Sequence, residues 1–216
     1  MKVLGCTIEA RMNSSRLPGK VMMEINGRSM LDLMISRVRM APEIGVIVVA
    51  TTIHENDDEI VEEAKKLGVG FFRGSEHDVL SRVLGAANEN KFEEFVALTG
   101  DCPLIDPVVI SKVIAEFKKG KIDYISNALI RSYPDGMDTQ VLTRKALKKS
   151  SELTNDIIER EHVTLHICRN PQIFQIQNFS APDELLWPEL GLTLDQIEDF
   201  NLIRNNSSRT NSNIII

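Results

Sequence analysis

The stretch "GVIVVATTIHENDDEIVEEAKKLGVGFFRG", residues 45–74, decides the fold class of this chain. It begins with an apolar run at 45–52 and ends with a second one at 69–73, both short enough for buried strands. Between them, residues 56–68 predict a helix, because acidic side chains occupy the first turn, lysines the last turn and a glycine the end. Two apolar strands joined by a helix are typical of a parallel sheet covered on both faces.

The same alternation of strand and helix recurs on both sides of this unit. Further strands are predicted at 2–10, 94–100 and 122–127, and further helices at 29–41, 77–90 and 107–120. Ser29 and Asp106 are the expected N-caps of two of these helices. We therefore predict an α/β fold, a Rossmann-like and mostly parallel sheet with helices on both faces.

The alternation stops near residue 128. The region 128–189 contains two strand-like pieces, "TQVLT" and "FQIQNFS", two helical pieces and a turn rich in Pro, Asp and Gly. It is therefore interpreted as an inserted α+β subregion. Residues 190–204 are predicted to form a strand and then a helix, and to rejoin the sheet. A single domain is expected over 1–204, followed by a polar tail, 205–216, that is expected to be frayed.

Composition and charge limit the partners of the chain. Its formal net charge of −6 argues against nucleic-acid binding, which depends on clustered Lys and Arg. No apolar stretch approaches the roughly 20 residues of a membrane span, and the N-terminus lacks a signal-peptide pattern, so a cytoplasmic location without membrane contact is expected. Cys6, Cys102 and Cys168 are widely spaced and odd in number, which predicts reduced thiols.

A basic loop, "EARMNSSRLPGKVM" at residues 9–22, follows the first predicted strand. Ligands of open α/β sheets bind outside the carboxyl ends of the strands, where this loop lies. Arg11, Arg16 and Lys20, with Ser14 and nearby backbone amides, are suited to hold a polyphosphate. The alternative is a solvated basic turn, but its place after the first strand favours binding. Neither the Walker phosphate loop nor the dinucleotide glycine motif occurs.

Two aspartates are candidate metal ligands. Asp101 directly follows a predicted strand in "LTGDCPLIDP", residues 98–107, and Asp106 already provides the N-cap of the next helix. Asp195 in "LTLDQIEDF" precedes a helix, so an N-cap explains it equally well on its own. Together the two carboxylates meet the usual minimum for Mg²⁺ that also binds substrate phosphates and water.

Three motifs in this order, "ARMNSSRLPGK", "GDCPLID" and "LTLDQIEDF", resemble the nucleotide-sugar cytidylyltransferases. The motifs "FRGSEHDVLSRV", "SYPDGMDTQVL" and "REHVT" are similar to the spore-coat polysaccharide branch in particular, which is related to the enzymes that activate acylneuraminate and 3-deoxy-manno-octulosonate. The resemblance spans residues 2–204. It implies the fold of the nucleotide-diphospho-sugar transferases and the transfer of CMP from CTP to a sugar acid or related acceptor, with release of pyrophosphate, for a cell-surface polysaccharide.

The resemblance also implies roles for particular residues. Arg11, Ser14, Arg16 and Lys20 match the triphosphate loop, of which Arg11, Arg16 and Lys20 are also candidate catalytic residues together with Asp101. Asp101 and Asp195 match the magnesium ligands, and Gly74 and Ser75 fall where relatives contact the nucleoside. The regions 133–138 and 160–163 match the acceptor pocket and dimer contact. Their candidate acceptor residues are Tyr133, Asp135, Asp138, Arg160 and His162.

Two other functions stay open from the sequence. A glycosyltransferase that uses a nucleotide-sugar is one, although such enzymes usually carry a D-x-D metal motif and this chain has D-C-P at residues 101–103. A nucleotide-binding relative without turnover is the other. A pyrophosphate-release assay separates them from a cytidylyltransferase.

Two histidines and two cysteines allow other interpretations, namely a zinc site and a cysteine nucleophile. His162, His166 and Cys168 superficially suggest zinc, with both histidines on one helix, but the chain offers too few ligands at zinc spacing. His162 is instead interpreted as buried beside the acceptor pocket or dimer contact, and Cys102 as a buried thiol rather than a nucleophile.

A homodimer is expected from the apolar residues of the insertion, Leu129, Ile130, Ile157, Ile158, Val163, Phe174, Ile176, Phe179, Leu185, Leu186 and Trp187.

Overall fold

A seven-stranded sheet with helices on both faces forms the body of the computed structural model, which describes residues 3–207. Its strands, with a separate short hairpin, are β1 (Leu4–Glu9), β2 (Glu24–Ile25), β3 (Arg28–Ser29), β4 (Ile44–Thr52), β5 (Gly70–Gly74), β6 (Glu94–Thr99), β7 (Tyr124–Ser126), β8 (Gln140–Thr143) and β9 (Ile176–Asn178). Its helices are α1 (Met30–Val38), α2 (Asp58–Lys66), α3 (Val79–Glu89), α4 (Pro107–Phe117), α5 (Arg144–Leu153), α6 (Ile157–Glu161), α7 (Leu165–Arg169) and α8 (Ile197–Ser207).

The strand order is β5-β4-β1-β6-β8-β7-β9, and β5, β4, β1 and β6 are parallel. The chain runs from β1 outward to β4 and β5, then returns to add β6 on the opposite side of β1. The strand order therefore reverses between β1 and β6, and a crevice forms at their carboxyl ends, where ligands of open α/β sheets bind. The predicted α/β class is confirmed.

Alternating side chains of the strands belong to two hydrophobic cores, one on each face of the sheet. Cys6 and Ile8 of β1 pack with α1, α2 and α4 on one face of the sheet. On the other face, Val48 and Ala50 of β4 pack with α3, α5 and α7. This period of two is what a sheet buried on both faces requires.

Helix starts follow the predicted caps. The Ser29 side chain accepts a hydrogen bond from the Asp32 amide at the start of α1. Asp106 accepts bonds from the amides of Val108 and Val109 at the start of α4, where Pro107 is the first residue. Both N-caps are confirmed. Among the described residues, no helix is long and apolar enough to cross a membrane.

The region 128–189 extends the main sheet instead of standing apart from it. Strand β8 is inserted between β6 and β7 and is antiparallel to both, and β9 pairs with β7 at the edge. These pairings join residues far apart in sequence, which local patterns do not encode. Helices α5, α6 and α7 also belong to this region.

The prediction that residues 190–204 begin with a strand that rejoins the sheet is wrong. Residues 190–194 are extended but make only an isolated bridge, between Asp135 and Gly191. The Leu194 amide donates to the carbonyl of Asp101 at 2.7 Å, so the segment follows loops of the crevice rather than a strand. Helix α8 continues to Ser207, three residues into the expected tail, and residues 208–216 lie outside the described residues.

Close approach of two strand ends depends on Gly100. Its amide donates to the carbonyl of Glu9 at 2.8 Å, which brings the loop after β6 against the end of β1. A Cβ at Gly100 would lie 2.6 Å from that carbonyl oxygen, closer than real Cβ contacts. The neighbour is backbone and cannot rotate away, so a side chain here would separate the two strand ends.

We expect Gly100→Ala to lower the free energy of unfolding by about 2 kcal/mol, because the loop after β6 must shift. Denaturant unfolding measures this change. Gly120→Ala is the matched control, since a Cβ at Gly120 would meet only Ile122, at an ordinary 3.8 Å. Equal stability of the two variants would contradict the importance of this approach.

Candidate active site

Four loops meet at the carboxyl ends of the parallel strands. They follow β1, β4, β5 and β6, and hydrogen bonds join them in pairs. The Ala10 amide donates to the Ala50 carbonyl at 3.2 Å, and the Ile53 amide to the Gly74 carbonyl at 3.1 Å. These loops therefore lie together at one end of the sheet.

Asp57 anchors the basic loop to the end of β4. This carboxylate is buried and accepts bonds from the Met12 amide at 2.7 Å, the Thr52 amide at 3.0 Å and the hydroxyls of Thr51 and Thr52. Burial opposes its ionisation, but these hydrogen bonds outweigh burial and lower the pKa of Asp57. The start of the basic loop is thus fixed before any ligand arrives.

Lys20 lies at the centre of the crevice. Its side chain is nearly buried, and its Nζ lies 2.8 Å from Asp195 and 3.5 Å from Asp101. Arg16 lies at the rim, 2.8 Å from the same Asp195 oxygen, with 60% of its side chain exposed. The structure therefore brings together two cations of the basic loop and both candidate metal ligands.

The carboxylate of Asp195 is not the N-cap of α8. Asp199, in the first turn of α8, reaches back instead, and its Oδ2 accepts bonds from the amides of Asp195 at 2.9 Å and Gln196 at 2.8 Å. The side chain of Asp195 instead faces Lys20 and Arg16. The N-cap alternative for Asp195 is wrong, and its carboxylate belongs to the crevice.

Two arginines hold the loop that contains Gly74 and Ser75. Arg82 of α3 is buried and donates to the carbonyls of Ser75 and Glu76. Arg160 of α6 reaches Asp78, the N-cap of α3, with Nε at 2.8 Å and Nη2 at 2.7 Å. The loop is therefore fixed at both ends.

Arg11 and Ser14 also lie in the crevice region. Arg11 reaches across to Glu76 in the loop after β5, at 3.7 Å. The Ser14 amide donates to the Met12 carbonyl at 2.9 Å, within a turn that Asp57 anchors through Met12. The basic loop thus faces the loop of Gly74 and Ser75.

A second group of acidic residues adjoins the crevice. Asp138 pairs with Arg131 through two bonds of 3.0 and 2.8 Å, and Asp135 lies 3.3 Å from the same guanidinium. Burial raises the pKa of Asp135, Arg131 opposes this, and the charges of Asp138, Asp101 and Asp195 add to it. The negative charges of Asp101 and Asp195 therefore act on Asp135.

Tyr133 is fully buried under this acidic group. Its ring stacks on Phe179, with centroids 6.1 Å apart, and its hydroxyl has no hydrogen-bond partner among the described residues. Gly136, at φ +101°, allows the loop to press against residues 192 and 193, because a Cβ there would lie 2.7 Å from the Leu192 carbonyl carbon. Tyr133, Asp135 and Asp138 are thus held beside the segment that carries Asp195.

Arg160 and His162 do not join that acidic group. Arg160 is committed to Asp78 and to the carbonyls of Ser151 and Thr154. His162 is exposed at the C-terminal end of α6, so the prediction that it is buried is wrong for the single chain. His162 and His166 do not share a helix, because α6 ends before α7 begins. His166 is buried and bonded to Glu159 at 2.7 Å.

The thiols are unpaired, as predicted, and Cys6 and Cys102 are buried. Burial raises the pKa of Cys102 well above its usual value, and the charge of Asp101 raises it further. A protonated, buried thiol is a poor nucleophile. The interpretation of Cys102 as a buried thiol agrees with the structure.

Sequence reasoning missed four residues that shape the crevice: Glu9, Asp57, Arg82 and Arg131. Glu9 ends β1, and burial raises the pKa of its carboxyl to about 7, with the Arg82 charge opposing the shift and the Asp101 charge adding to it. Arg82 lies within the motif "FRGSEHDVLSRV", and Glu9 begins the basic loop. Their contacts depend on how α3 packs against the sheet, which a local sequence pattern does not reveal.

Comparison with known proteins identifies the family of the chain. A family model described as cytidylyltransferase matches residues 6–203. The chain belongs to the cytidylyltransferase family. It is therefore a CTP-dependent nucleotidyltransferase, as the resemblance predicted.

Individual relatives agree with this assignment. The spore coat polysaccharide biosynthesis protein SpsF of Bacillus subtilis is 34% identical over 206 residues, covering 91% of this chain and 83% of that protein. A 3-deoxy-manno-octulosonate cytidylyltransferase of Solibacter usitatus is 33% identical over 115 residues, which is 52% of this chain and 44% of that enzyme. A cytidylyltransferase structure from Leptospira borgpetersenii superposes with a TM-score of 0.91 at 34% identity, covering 98% of this chain and 89% of the other.

We expect Asp57→Asn to destabilise this family member by about 3 kcal/mol, because a charged acceptor of buried hydrogen bonds is lost. The pKa of Asp57 is lowered by folding, so its contribution is complete above the unfolded-state pKa and is lost as pH falls through the folded-state pKa. Urea unfolding at neutral and acid pH tests this, and the difference from wild type should shrink in acid. Glu55→Gln, an exposed neighbour, is the control.

Proposed function

We propose that this cytidylyltransferase transfers CMP from CTP to a sugar acid or related acceptor in the cytoplasm, with Mg²⁺ and with release of pyrophosphate, for a cell-surface polysaccharide. The observation that carries the proposal is the contact of Lys20 and Arg16 with Asp195, and of Lys20 with Asp101. Cations suited to phosphate and carboxylates suited to a metal thus share one crevice. The names of the Bacillus and Solibacter relatives support the polysaccharide and the sugar acid.

The reaction is a displacement at the α-phosphorus of CTP. An acceptor oxygen forms the new bond to phosphorus while the bond to the bridging oxygen breaks, and pyrophosphate leaves with the electron pair. Lys20, as a point charge, and Arg16, as a planar fork, would stabilise the negative charge that builds on the leaving phosphates. The mechanism needs no covalent enzyme intermediate, and no side chain is assigned as a general base.

Asp101 and Asp195 would hold the magnesium ion. Both carboxylates face one ammonium and are partly exposed, 27% and 19% for the side chains, so hard oxygen donors converge on one accessible point. No group of three or more potential metal-binding side chains occurs within residues 3–207, so phosphate oxygens and water would complete the coordination. When bound, the ion supplies charge neutralisation and alignment of the phosphates.

The remaining residues of the crevice divide between nucleoside and acceptor. Gly74 and Ser75 would contact the nucleoside, since Arg82 holds the Ser75 carbonyl in place. Ser14 and Arg11 would complete the triphosphate loop. Asp135 and Asp138 would line the acceptor pocket, with Tyr133 buried behind them. A sugar-acid carboxylate that binds Arg131 would have to displace one of these two carboxylates from it.

A screen for pyrophosphate release tests the proposal. Four nucleoside triphosphates are crossed with a panel of sugar acids and sugar phosphates in Mg²⁺ buffer. Release with CTP and a sugar acid supports the proposal. Free nucleoside diphosphate from a nucleotide-sugar would instead indicate a glycosyltransferase, and CTP binding without any release would indicate a relative without turnover.

We expect Asp101→Asn to lower kcat by on the order of 100-fold, because one of two metal ligands is lost, while the fold survives. Initial rates at increasing Mg²⁺ measure the effect, and the variant should also require more metal. Asp183→Asn, an exposed carboxylate in the turn Asp183–Leu185, is the control. Pyrophosphate release near the wild-type rate would refute the metal assignment.

We further propose a homodimer formed through exposed apolar residues of the region 128–189. Ile157 and Ile158 on α6 and Ile130, Leu186 and Trp187 elsewhere are more than half exposed in the single chain. Val163 and Phe174, which the sequence assigned to this surface, are instead core residues. The exposed residues are the ones available to a second copy.

We expect Ile157→Glu to shift the molecular mass measured by light scattering from dimer toward monomer, because a charge would be buried at the contact. Ile53→Glu, a substitution of a 74% exposed residue in the loop after β4, is the control. A wild-type chain that is monomeric at all concentrations would refute the dimer.

A further inference from the structure

An unpaired carboxylate, that of Glu9, lies at the floor of the crevice. Glu9 is the last residue of β1, beside the point where the strand order reverses. Within the described residues its side chain makes no hydrogen bond and no ion pair, although the pKa effects show that Arg82 and Asp101 lie near it. It is only partly exposed. Burying a carboxylate in such surroundings costs free energy unless a neighbouring group donates hydrogen bonds to it.

The neighbours of Glu9 in the sheet are small. Its partners in the sheet are Ala50 on β4 and Thr99 on β6. Beyond β4, the strand β5 ends in Gly74, where Arg82 packs closely. Ala50, Thr99 and Gly74 are all too small to cover the Glu9 carboxylate.

Arg82 holds the Ser75 loop in place without forming an ion pair with Glu9. Its Nη1 is committed to the carbonyls of Ser75 and Glu76, and its Nε is buried without a hydrogen-bond partner. The guanidinium therefore favours a negative charge on Glu9 from a distance, while it fixes the Ser75 loop opposite. The carboxylate oxygens of Glu9 stay available as hydrogen-bond acceptors.

We propose that Glu9 selects the nucleobase, by accepting a hydrogen bond from the exocyclic amino group of cytosine. This assignment rests on the proposed function, since it requires the nucleoside to lie against Gly74 and Ser75. The triphosphate on the basic loop and the nucleoside on the Ser75 loop would bracket the end of β1. Glu9 is the acidic group at that position.

The chemistry of the two pyrimidines explains why a carboxylate discriminates. Cytosine carries an amino donor at C4, whereas uracil carries a carbonyl oxygen at the same position. A carboxylate accepts from the first and is repelled by the second. A site built around one hydrogen bond rejects an analogue that lacks it, because the buried polar group is then left unpaired.

Calorimetric titration with CTP and UTP in Mg²⁺ at about pH 8.5, where the Glu9 carboxyl is mostly ionised, tests the proposal without needing an acceptor. Wild type should bind CTP more tightly than UTP, and the ratio of the two dissociation constants should fall by about tenfold or more in Glu9→Gln. The ratio should fall because the glutamine side chain can present either a donor or an acceptor, and so distinguishes cytosine from uracil less well than a carboxylate does. Glu94→Gln is the matched control, an exposed residue at the amino end of β6, and it should keep the wild-type ratio.

A ligand-side test covers the case in which Glu9→Gln does not fold. A CTP analogue without the amino group at C4 should bind to wild type about tenfold or more weakly than CTP. Equal binding of this analogue, or an unchanged CTP/UTP ratio in a folded Glu9→Gln, overturns the role of Glu9 and leaves the proposed function intact. A wild-type chain that binds neither CTP nor UTP overturns the proposed function and this assignment together.

Discussion

The ammonium of Lys20 is the constraint on which the active site depends. It is nearly buried, so it requires negative partners, and it finds them in Asp101 and Asp195, which are 81 and 175 residues away in sequence. One charge thereby defines where the loop after β1, the loop after β6 and the segment before α8 must meet. The same demand for balanced charge is what the proposed binding of a triphosphate with a metal ion would meet.

Backbone contacts make this charge arrangement precise in position. The Gly100 amide bonded to Glu9, the Leu194 amide bonded to Asp101 and the Met12 amide bonded to Asp57 each tie a loop to its neighbour. Rigid loops lose little freedom when a ligand binds, so more of the contact energy appears as affinity or as stabilisation of the transition state. The sheet brings these loops to one edge, and the backbone hydrogen bonds fix the distances between them.

The sequence predicted what depends on local pattern and failed where distant pairing decides. The strands and helices of the parallel part of the sheet, the caps at Ser29 and Asp106, and the place of Lys20 and Asp101 in one crevice follow from periodicity and from the topology of parallel sheets. The place of Asp195 followed only from the resemblance. The antiparallel insertion of β8 and the unpaired course of residues 190–194 depend on long-range hydrogen bonds that periodicity does not reveal. Asp57 and Arg82 looked like ordinary helix residues, because their importance lies in the backbone atoms they hold.

The segment that carries Asp195 rests on a hydrophobic cluster of its own. Leu194, Phe200 and Ile203 pack with Ile25 and Met30, apart from the two cores that line the sheet. A small, separate cluster can open at a lower free energy than the whole domain. Amides of α8 would then exchange with solvent through a local opening, in which the proposed metal ligand Asp195 leaves the crevice while the sheet stays folded. Catalytic competence and global stability are in that case set by different parts of the chain.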